Sequence, residues 1–161
     1  MIIIIILLTI GTYLFLQNQK VNNSSITLEN NQERVKVKGF SGNVLAGITS
    51  PFIEFNKQDY DKALASGELI LLDFYATWCP ICRAEEPEIF AGFNQLNNEN
   101  VVGFRVNFND PDTDSDEKNL ATQFAVPYQH TKIILKNGKE VARYTDQWIK
   151  QDLIDAINQN K

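Results

Sequence analysis

The sequence predicts an α/β fold of three layers, with a central mixed sheet of about four to five strands flanked by helices. Three observations predict it. Segments with strand-like and helix-like periodicity alternate from about residue 51 to residue 158. One of these strands, 68–76, is a continuous apolar run, which is typical of the buried centre of a sheet. Late in the chain, Lys136-Asn137-Gly138 indicates a β-hairpin turn.

The domain is predicted to begin with a strand, a helix and a second strand. Residues 51–55 can form a short strand. A helix follows over 57–66, where Tyr60, Ala63 and Leu64 share one face, and Gly67 marks its end. The apolar run 68–76 then predicts the central strand.

The next helix is predicted over 80–96, with apolar positions at Ile81, Phe90, Phe93 and Leu96. Pro87 lies inside this helix and is expected to kink it, because proline lacks the backbone N–H of an interior helical position. The acidic side chains of the helix are expected to form a solvated face: Glu85, Glu86 and Glu88.

The middle of the domain is predicted to contain a strand, an acidic loop and a short helix. Alternating apolar and polar residues indicate the strand at 101–108. The acidic residues of 110–117 are expected to be solvated and to lead into a helix over 117–124, with Ser115 or Asp116 as its N-cap.

The last elements are a β-hairpin and a helix. Strands at 131–135 and 139–144 flank the Asn-Gly turn. The amphipathic pattern of 147–158 predicts the closing helix. Its inward-facing residues are expected to be Trp148, Ile149, Leu153, Ile154, Ala156 and Ile157. The element order is therefore β-α-β-α-β-α-β-β-α.

Residues 1–16 form a separate apolar segment, MIIIIILLTIGTYLFL, with no charged side chain before Lys20. Its length and composition predict a signal peptide or membrane anchor. Residues 17–38 are rich in Asn, Gln, Ser and charged residues, and this composition indicates a flexible polar linker. The folded domain is accordingly predicted over 39–161.

The overall charge of the protein argues against one class of partner. The 161 residues carry a formal net charge of −5. Nucleic-acid binding usually requires a basic surface that neutralises phosphates, and the sequence shows no basic stripe. No nucleic-acid partner is therefore expected.

The two cysteines of the chain lie together in Trp78-Cys79-Pro80-Ile81-Cys82, between the apolar strand and the following helix. A Cys-x-x-Cys at such a junction is typical of thiol–disulfide exchange. Unpaired N–H groups at the helix N-terminus stabilise a thiolate at Cys79. Cys82, one turn later, can attack a mixed disulfide and release the substrate. Pro80 suits the first helical turn.

Two structural explanations of the cysteines are weaker. A closed zinc site needs four ligands, and the chain has two cysteines and one histidine. A purely structural disulfide across so short a loop would remove little unfolded-state entropy.

The segment Asp73-Phe74-Tyr75-Ala76-Thr77-Trp78-Cys79-Pro80-Ile81-Cys82, together with Pro87 and Lys136-Asn137-Gly138, resembles the thioredoxin family over about residues 52–158. The resemblance implies a thioredoxin-like fold with Cys79 as the nucleophile and Cys82 as the resolving thiol. It also implies that Asp73, beneath the pair, exchanges protons with Cys82. A carboxyl group in an apolar strand has a raised pKa, which suits this role near neutral pH. Trp78, Pro80 and Ile81 would contact substrate.

The family usually places a cis-proline opposite the cysteine pair. Counting back without gaps from the Asn-Gly turn, that position falls on His130, followed by Thr131, whereas the nearest proline is Pro127. Either a loop insertion leaves Pro127 as the family's proline, or His130 replaces it; the spacing favours His130. An imidazole beside Cys79 would tune the thiol, and it would create a Cys-Cys-His set of metal ligands.

The sequence thus predicts a thiol–disulfide oxidoreductase that acts on protein thiols or disulfides. It would exchange electrons with a donor or acceptor redox protein. No organic cofactor is required, because the dithiol carries the electrons. The predicted location is membrane-anchored or exported, with the domain outside the cytoplasm. The alternative is a metal-handling protein that binds copper, zinc or an iron–sulfur cluster through Cys79, Cys82 and His130.

Overall fold

The computed structural model of the protein describes residues 37–161. The predicted signal or anchor segment, and the predicted linker up to residue 36, lie outside this range. The described elements are β1 (Val44–Ala46), β2 (Phe52–Glu54), α1 (Lys57–Ser66), β3 (Leu69–Tyr75), α2 (Pro80–Gln95), β4 (Val101–Asn107), α3 (Ser115–Gln123), β5 (Thr131–Lys136), β6 (Lys139–Tyr144) and α4 (Lys150–Asn160). Over these residues, every helix is too short or too polar to span a bilayer.

The strands form one mixed sheet in the order β1-β2-β4-β3-β5-β6. Strand β4 runs parallel to both β2 and β3, whereas β5 is antiparallel to β3 and β6. The α/β fold with a mixed sheet flanked by helices is confirmed. The sheet has six strands rather than four to five, because the unpredicted strand β1 pairs with β2 at its edge.

Alternation of side chains along β3 divides the core between the two faces of the sheet. Ile70, Leu72 and Phe74 pack with residues of α1 and α3, and we call this side the α1 face. Leu69 and Leu71 pack with residues of α2 and α4, and we call this side the α2 face. Helices on both faces give the predicted three layers.

Helices α1 and α3 begin at side-chain caps, which satisfy backbone N–H groups that lack a helical partner. Asn56 caps α1, and Gly67 ends it at a φ of 73°. Asp114 caps α3 and forms a reciprocal capping box with Glu117. The prediction of Ser115 or Asp116 as the cap of α3 is therefore wrong by one or two residues, because the carboxylate of Asp114 takes that role.

The hairpin between β5 and β6 turns at Asn137 and Gly138, which both have positive φ, as the Asn-Gly signal predicts. Helix α4 begins at Lys150, later than the predicted residue 147. Trp148 is buried, but Ile149 is 58% exposed, so its predicted inward orientation is wrong. Ile149 precedes the helix in an extended conformation and does not follow the helical face.

Candidate active site

Cys79 is the N-cap residue of α2, at the end of the turn that follows β3. Its Sγ accepts a hydrogen bond from the backbone N of Cys82 over 3.2 Å. Pro80 occupies the first turn, where it removes no helical hydrogen bond. The helix N-terminus thus directs a backbone N–H donor at the Cys79 sulfur.

Cys82 lies one turn into α2, and both cysteines are buried free thiols. Burial raises the pKa of the Cys82 thiol to about 12, with a second contribution from its interaction with Cys79. Cys82 therefore stays protonated near neutral pH unless a base removes its proton. The two thiols differ in environment: Cys79 accepts a backbone N–H at the helix N-terminus, whereas burial raises the pKa of Cys82.

Asp73 is the candidate base on β3, at the α2 face of the sheet. Burial raises the pKa of its carboxyl group to about 7, as the apolar strand predicts. Strand register places Lys132 of β5 on one side of Asp73 and Arg105 of β4 on the other. The positive charge of Lys132 opposes the rise in the pKa of Asp73, and the negative charge of Glu85 adds to it.

A buried ion pair that the sequence pattern does not predict joins α2 to β5. Lys132 Nζ donates to Glu85 Oε1, and both side chains are almost completely buried. The expected solvated acidic face of α2 is therefore wrong at Glu85. Glu86 pairs with Arg105 at 2.6 Å, and Glu88 accepts a hydrogen bond from the Lys150 backbone N at 2.8 Å. Each carboxylate of the helix thus faces a donor from another element.

The same ion pair holds the segment before α4. Glu85 Oε1 also accepts a hydrogen bond from the backbone N of Trp148 at 2.6 Å. Lys132 Nζ donates to the backbone O of Asp146 at 2.9 Å and lies 5.3 Å from the centre of the Trp148 ring. Buried charges are tolerated when their hydrogen-bonding capacity is satisfied, and these contacts meet that condition.

The loop after β4 packs against the active-site turn. Asp110 Oδ2 accepts from the backbone N of Thr77 at 2.5 Å and from its Oγ1 at 2.7 Å. Trp78 Nε1 donates to the backbone O of Asn109 at 3.0 Å. Asp110 and Glu117 are both buried, so the expectation of a wholly solvated acidic loop is wrong at these two positions. Their carboxylates satisfy backbone N–H groups and so fix the loop.

His130 lies beside Cys79, with its Nδ1 4.0 Å from the Cys79 Sγ, whereas Pro127 is exposed. The structure thus places His130 opposite the cysteine, as the ungapped count favours. The backbone of His130 has a φ of 56°, and its N–H donates to the Phe74 carbonyl at 2.6 Å. A proline could not donate this bond. Burial, followed by the charge of Lys132, lowers the pKa of the imidazole.

Neighbouring residues fix the loop that carries His130. Its ring packs against that of Tyr128, with centroids 5.2 Å apart. Thr131 is buried, and its Oγ1 donates to the Tyr128 carbonyl at 2.8 Å. Of the residues that the sequence predicts for the site, the structure groups Cys79, Cys82 and His130 directly, with Asp73 beneath. Lys132 could have been found from the sequence, because it interrupts an otherwise apolar strand.

The comparisons with known proteins agree with this geometry. Thioredoxin from Chlamydia trachomatis is 30% identical over 106 residues, which are 66% of this chain and 95% of that protein. Bloodstream-specific protein 2 of Trypanosoma brucei brucei is 27% identical over 112 residues, 70% of this chain. The chain spans 21% of the length of that relative and 17% of a putative protein disulfide-isomerase of Schizosaccharomyces pombe.

The crystal structure of Trxlp from Edwardsiella tarda superposes with a TM-score of 0.54 and 33% sequence identity. The match covers 64% of this chain and 95% of that one. Residues 51–159 match the model of the thioredoxin family. With the fold, the Cys-x-x-Cys at the start of α2 and these relatives in agreement, the chain belongs to the thioredoxin family.

Proposed function

We propose that the protein is a thiol–disulfide oxidoreductase that exchanges disulfides with protein substrates through Cys79 and Cys82. The observation that carries the proposal is the position of Cys79 at the N-cap of α2, where its sulfur accepts the Cys82 N–H. A thiolate so stabilised is the attacking species in exchange. Membership of the thioredoxin family supports the same activity.

The exchange proceeds in two steps. The Cys79 thiolate attacks one sulfur of a substrate disulfide, which forms a mixed disulfide and releases the other substrate sulfur as a thiolate. Cys82 then attacks Cys79, the Cys79–Cys82 bond forms, and the second substrate sulfur leaves. Two electrons have passed to the substrate, and the dithiol has become a disulfide.

The second step requires a base, because burial keeps Cys82 protonated. Asp73 lies on the strand beneath α2 and has a pKa of about 7, so its carboxylate is available near neutral pH. In our proposal Asp73 accepts the Cys82 proton, directly or through one water molecule, as Cys82 attacks.

The surface around the cysteines favours a polypeptide substrate. Three large apolar side chains lie exposed beside Cys79 and its His130 neighbour: Trp78 at 51%, Tyr128 at 41% and Ile81 at 37%. An exposed apolar cluster of this kind is typical of a surface that docks another chain. Protein thiols and disulfides therefore suit the site better than small thiols.

A complete cycle needs a second redox protein that restores the pair, and we propose that it docks at the same surface. We also propose a membrane-anchored or exported location, which the apolar run of residues 1–16 supports. Fractionation of cells that produce the full chain tests the location. Recovery of the chain in the soluble cytoplasmic fraction would contradict it.

The activity is tested by reduction of a disulfide-containing protein, such as insulin, with the full-length chain. Wild-type protein should accelerate the reaction, and Cys79→Ser should abolish that acceleration. Cys82→Ser should accumulate the mixed disulfide, which denaturing electrophoresis without reductant detects. Lys139→Ala, on the exposed hairpin, is the control and should match wild type. Full activity of Cys79→Ser would refute the proposal.

The direction of electron flow follows from the reduction potential of the pair, measured by equilibration against glutathione or dithiothreitol. A value of about −270 mV, as in thioredoxin, would indicate a reductase, and one of about −120 mV would indicate an oxidant.

A further inference from the structure

Three metal-ligating side chains converge at the active site. Cys79 Sγ, Cys82 Sγ and a ring nitrogen of His130 all lie within 4.8 Å of one another. The two sulfurs come from the first turn of α2, and the imidazole comes from the loop before β5. Within residues 37–161, no further His, Cys, Asp or Glu joins this cluster.

The spacing fits a single ion. With metal–sulfur bonds of about 2.3 Å and metal–nitrogen bonds of about 2.0 Å, ligand atoms around one ion lie roughly 3.5–4.0 Å apart. Cys79 Sγ lies 4.0 Å from His130 Nδ1, and all three ligand atoms lie within 4.8 Å of one another. The three ligands therefore have to approach one another by about 1 Å or less to surround one ion.

The His130 ring is held in place by its own backbone. The positive φ of His130 and the hydrogen bond from its N–H to Phe74 turn the residue towards Cys79. Contact with Tyr128 supports the ring from the side. A pre-positioned imidazole needs less ordering when it binds an ion, which raises affinity.

We propose that the reduced protein binds one soft or borderline d10 metal ion, Cu(I) or Zn²⁺, through Cys79, Cys82 and His130. Thiolate and imidazole ligands select these ions. Three ligands complete a trigonal Cu(I) site, whereas Zn²⁺ would keep a fourth position for water or a substrate thiolate.

Metal binding and disulfide exchange exclude each other, because the sulfur electron pairs that bind the ion are the ones that attack a disulfide. Each thiol that binds the ion releases its proton, so loading releases up to two protons per ion. When the pair instead reduces a substrate disulfide, two electrons leave and the Cys79–Cys82 bond forms. The sulfurs then no longer act as thiolate ligands, and the ion is released unchanged in charge.

The sequence offers an unusually direct test, because the chain contains two cysteines and a single histidine. Reduced full-length protein is titrated under anaerobic conditions with Zn²⁺, and separately with Cu(I) against a chromophoric chelator. X-ray absorption then identifies the ligands. We expect one ion per chain, bound by two sulfurs and one imidazole, for at least one of the two metals. Binding of one metal alone identifies the cognate ion.

Variants test the contribution of the histidine. His130→Asn keeps the backbone donor and tolerates positive φ, but lacks the imidazole. We expect it to bind the metal at least 10-fold more weakly, while Lys139→Ala, on the exposed hairpin, should match wild type. Circular dichroism confirms that each variant is folded. If a variant does not fold, the X-ray absorption spectrum of the wild-type protein still tests the site.

Three results would overturn the inference. The first is binding of less than half an equivalent of each metal per chain. The second is an X-ray absorption spectrum of the metal-loaded protein that shows no imidazole ligand. The third is equal metal affinity in wild type and in folded His130→Asn. Disulfide exchange by the metal-free chain is measured in parallel. An active chain without metal binding would refute only this inference, and a metal-binding chain without exchange would refute only the proposed function.

Discussion

The two faces of the central sheet bury very different groups at the level of the active site. On the α1 face, Leu72 and Phe74 of β3 belong to a cluster of buried hydrophobic side chains. Asp73, which lies between these two residues in sequence, faces the α2 side and pairs across the strands with Lys132. Lys132 in turn forms the buried ion pair with Glu85 of α2. Apolar packing provides stability, while the buried charges provide titratable groups near the thiols. Alternate residues of β3 thus contribute to apolar packing on one face and to the buried charged groups on the other.

The largest expected effect comes from breaking the buried ion pair. Glu85→Leu removes the buried ion-pair partner of Lys132, so the free energy of unfolding should fall by about 3–5 kcal/mol. The double variant Glu85→Leu/Lys132→Met should recover most or all of this loss, because it removes both desolvated charges. Urea denaturation measures each free energy.

The matched control for this pair is an exposed one. Glu140 pairs with Arg143 at 2.8 Å on the hairpin surface, and Glu140→Leu should cost no more than about 1 kcal/mol. Equal losses for Glu85→Leu and Glu140→Leu would show that burial of the pair does not matter in solution.

On the apolar face, Leu72→Ala should lower the free energy of unfolding by about 2–5 kcal/mol, because it leaves a cavity in a fully buried position. The reduction potential of the cysteine pair should stay at the wild-type value, since Leu72 points away from the site. A shift of that potential would show that the two faces are coupled.

The pH dependence of stability should reveal the cost of burying Asp73. Its folded-state pKa of about 7 lies above the ordinary 3.8, so folding favours the protonated form. Stability from this group is complete below about pH 4 and falls as the pH rises to about 7, by at most about 4 kcal/mol. Asp73→Asn should therefore be more stable than wild type at pH 8 and have a flatter pH profile.

The control for this titration is Asp61→Asn, which changes an exposed carboxylate on α1. It should leave the fall in stability between pH 4 and pH 7 unchanged. If the Asp73→Asn and wild-type profiles are parallel, Asp73 does not titrate as its burial indicates.

The smallest loss of stability is expected at a helix cap on the α1 face, where a polar side chain accepts a hydrogen bond from the nearby backbone. Asp114→Ala removes the N-cap of α3 and should cost about 1 kcal/mol in thermal or urea unfolding. Asp112→Ala, in the same loop, is the control and should be close to neutral. A loss above about 3 kcal/mol for Asp114→Ala would mean that the cap also holds the active-site loop.

Local patterns in the sequence were sufficient for most of the fold. The apolar run of β3, the Asn-Gly turn and the position of Cys79 before a helix all follow from short stretches of chain. Strand β1 was missed because Val44–Ala46 is three residues long and depends on its pairing with β2. Such edge strands carry little signal of their own.

In the candidate site too, features that depend on a short stretch of sequence are predicted, and features that depend on distant partners are not. Motif and spacing predict Cys79, Cys82 and His130, the resemblance to the family implies Asp73, and the structure brings Cys79, Cys82 and His130 together. The buried state of Glu85 was missed, because its partner Lys132 follows 47 residues later on another element. An acidic residue among acidic neighbours on a helix resembles a solvated face until the opposing strand is known. The register of β3 with β5 supplies that missing information.

The complete burial of Lys132 makes its amine a reporter of motion. Lys57, Lys118 and Lys139 are exposed, so an amine-reactive acylating reagent modifies them at once. Lys132 is fully enclosed and reacts only when α2 or the segment before α4 separates from the sheet. Mass spectrometry of the acylated peptides would then follow the opening that exposes Lys132, without any mutation.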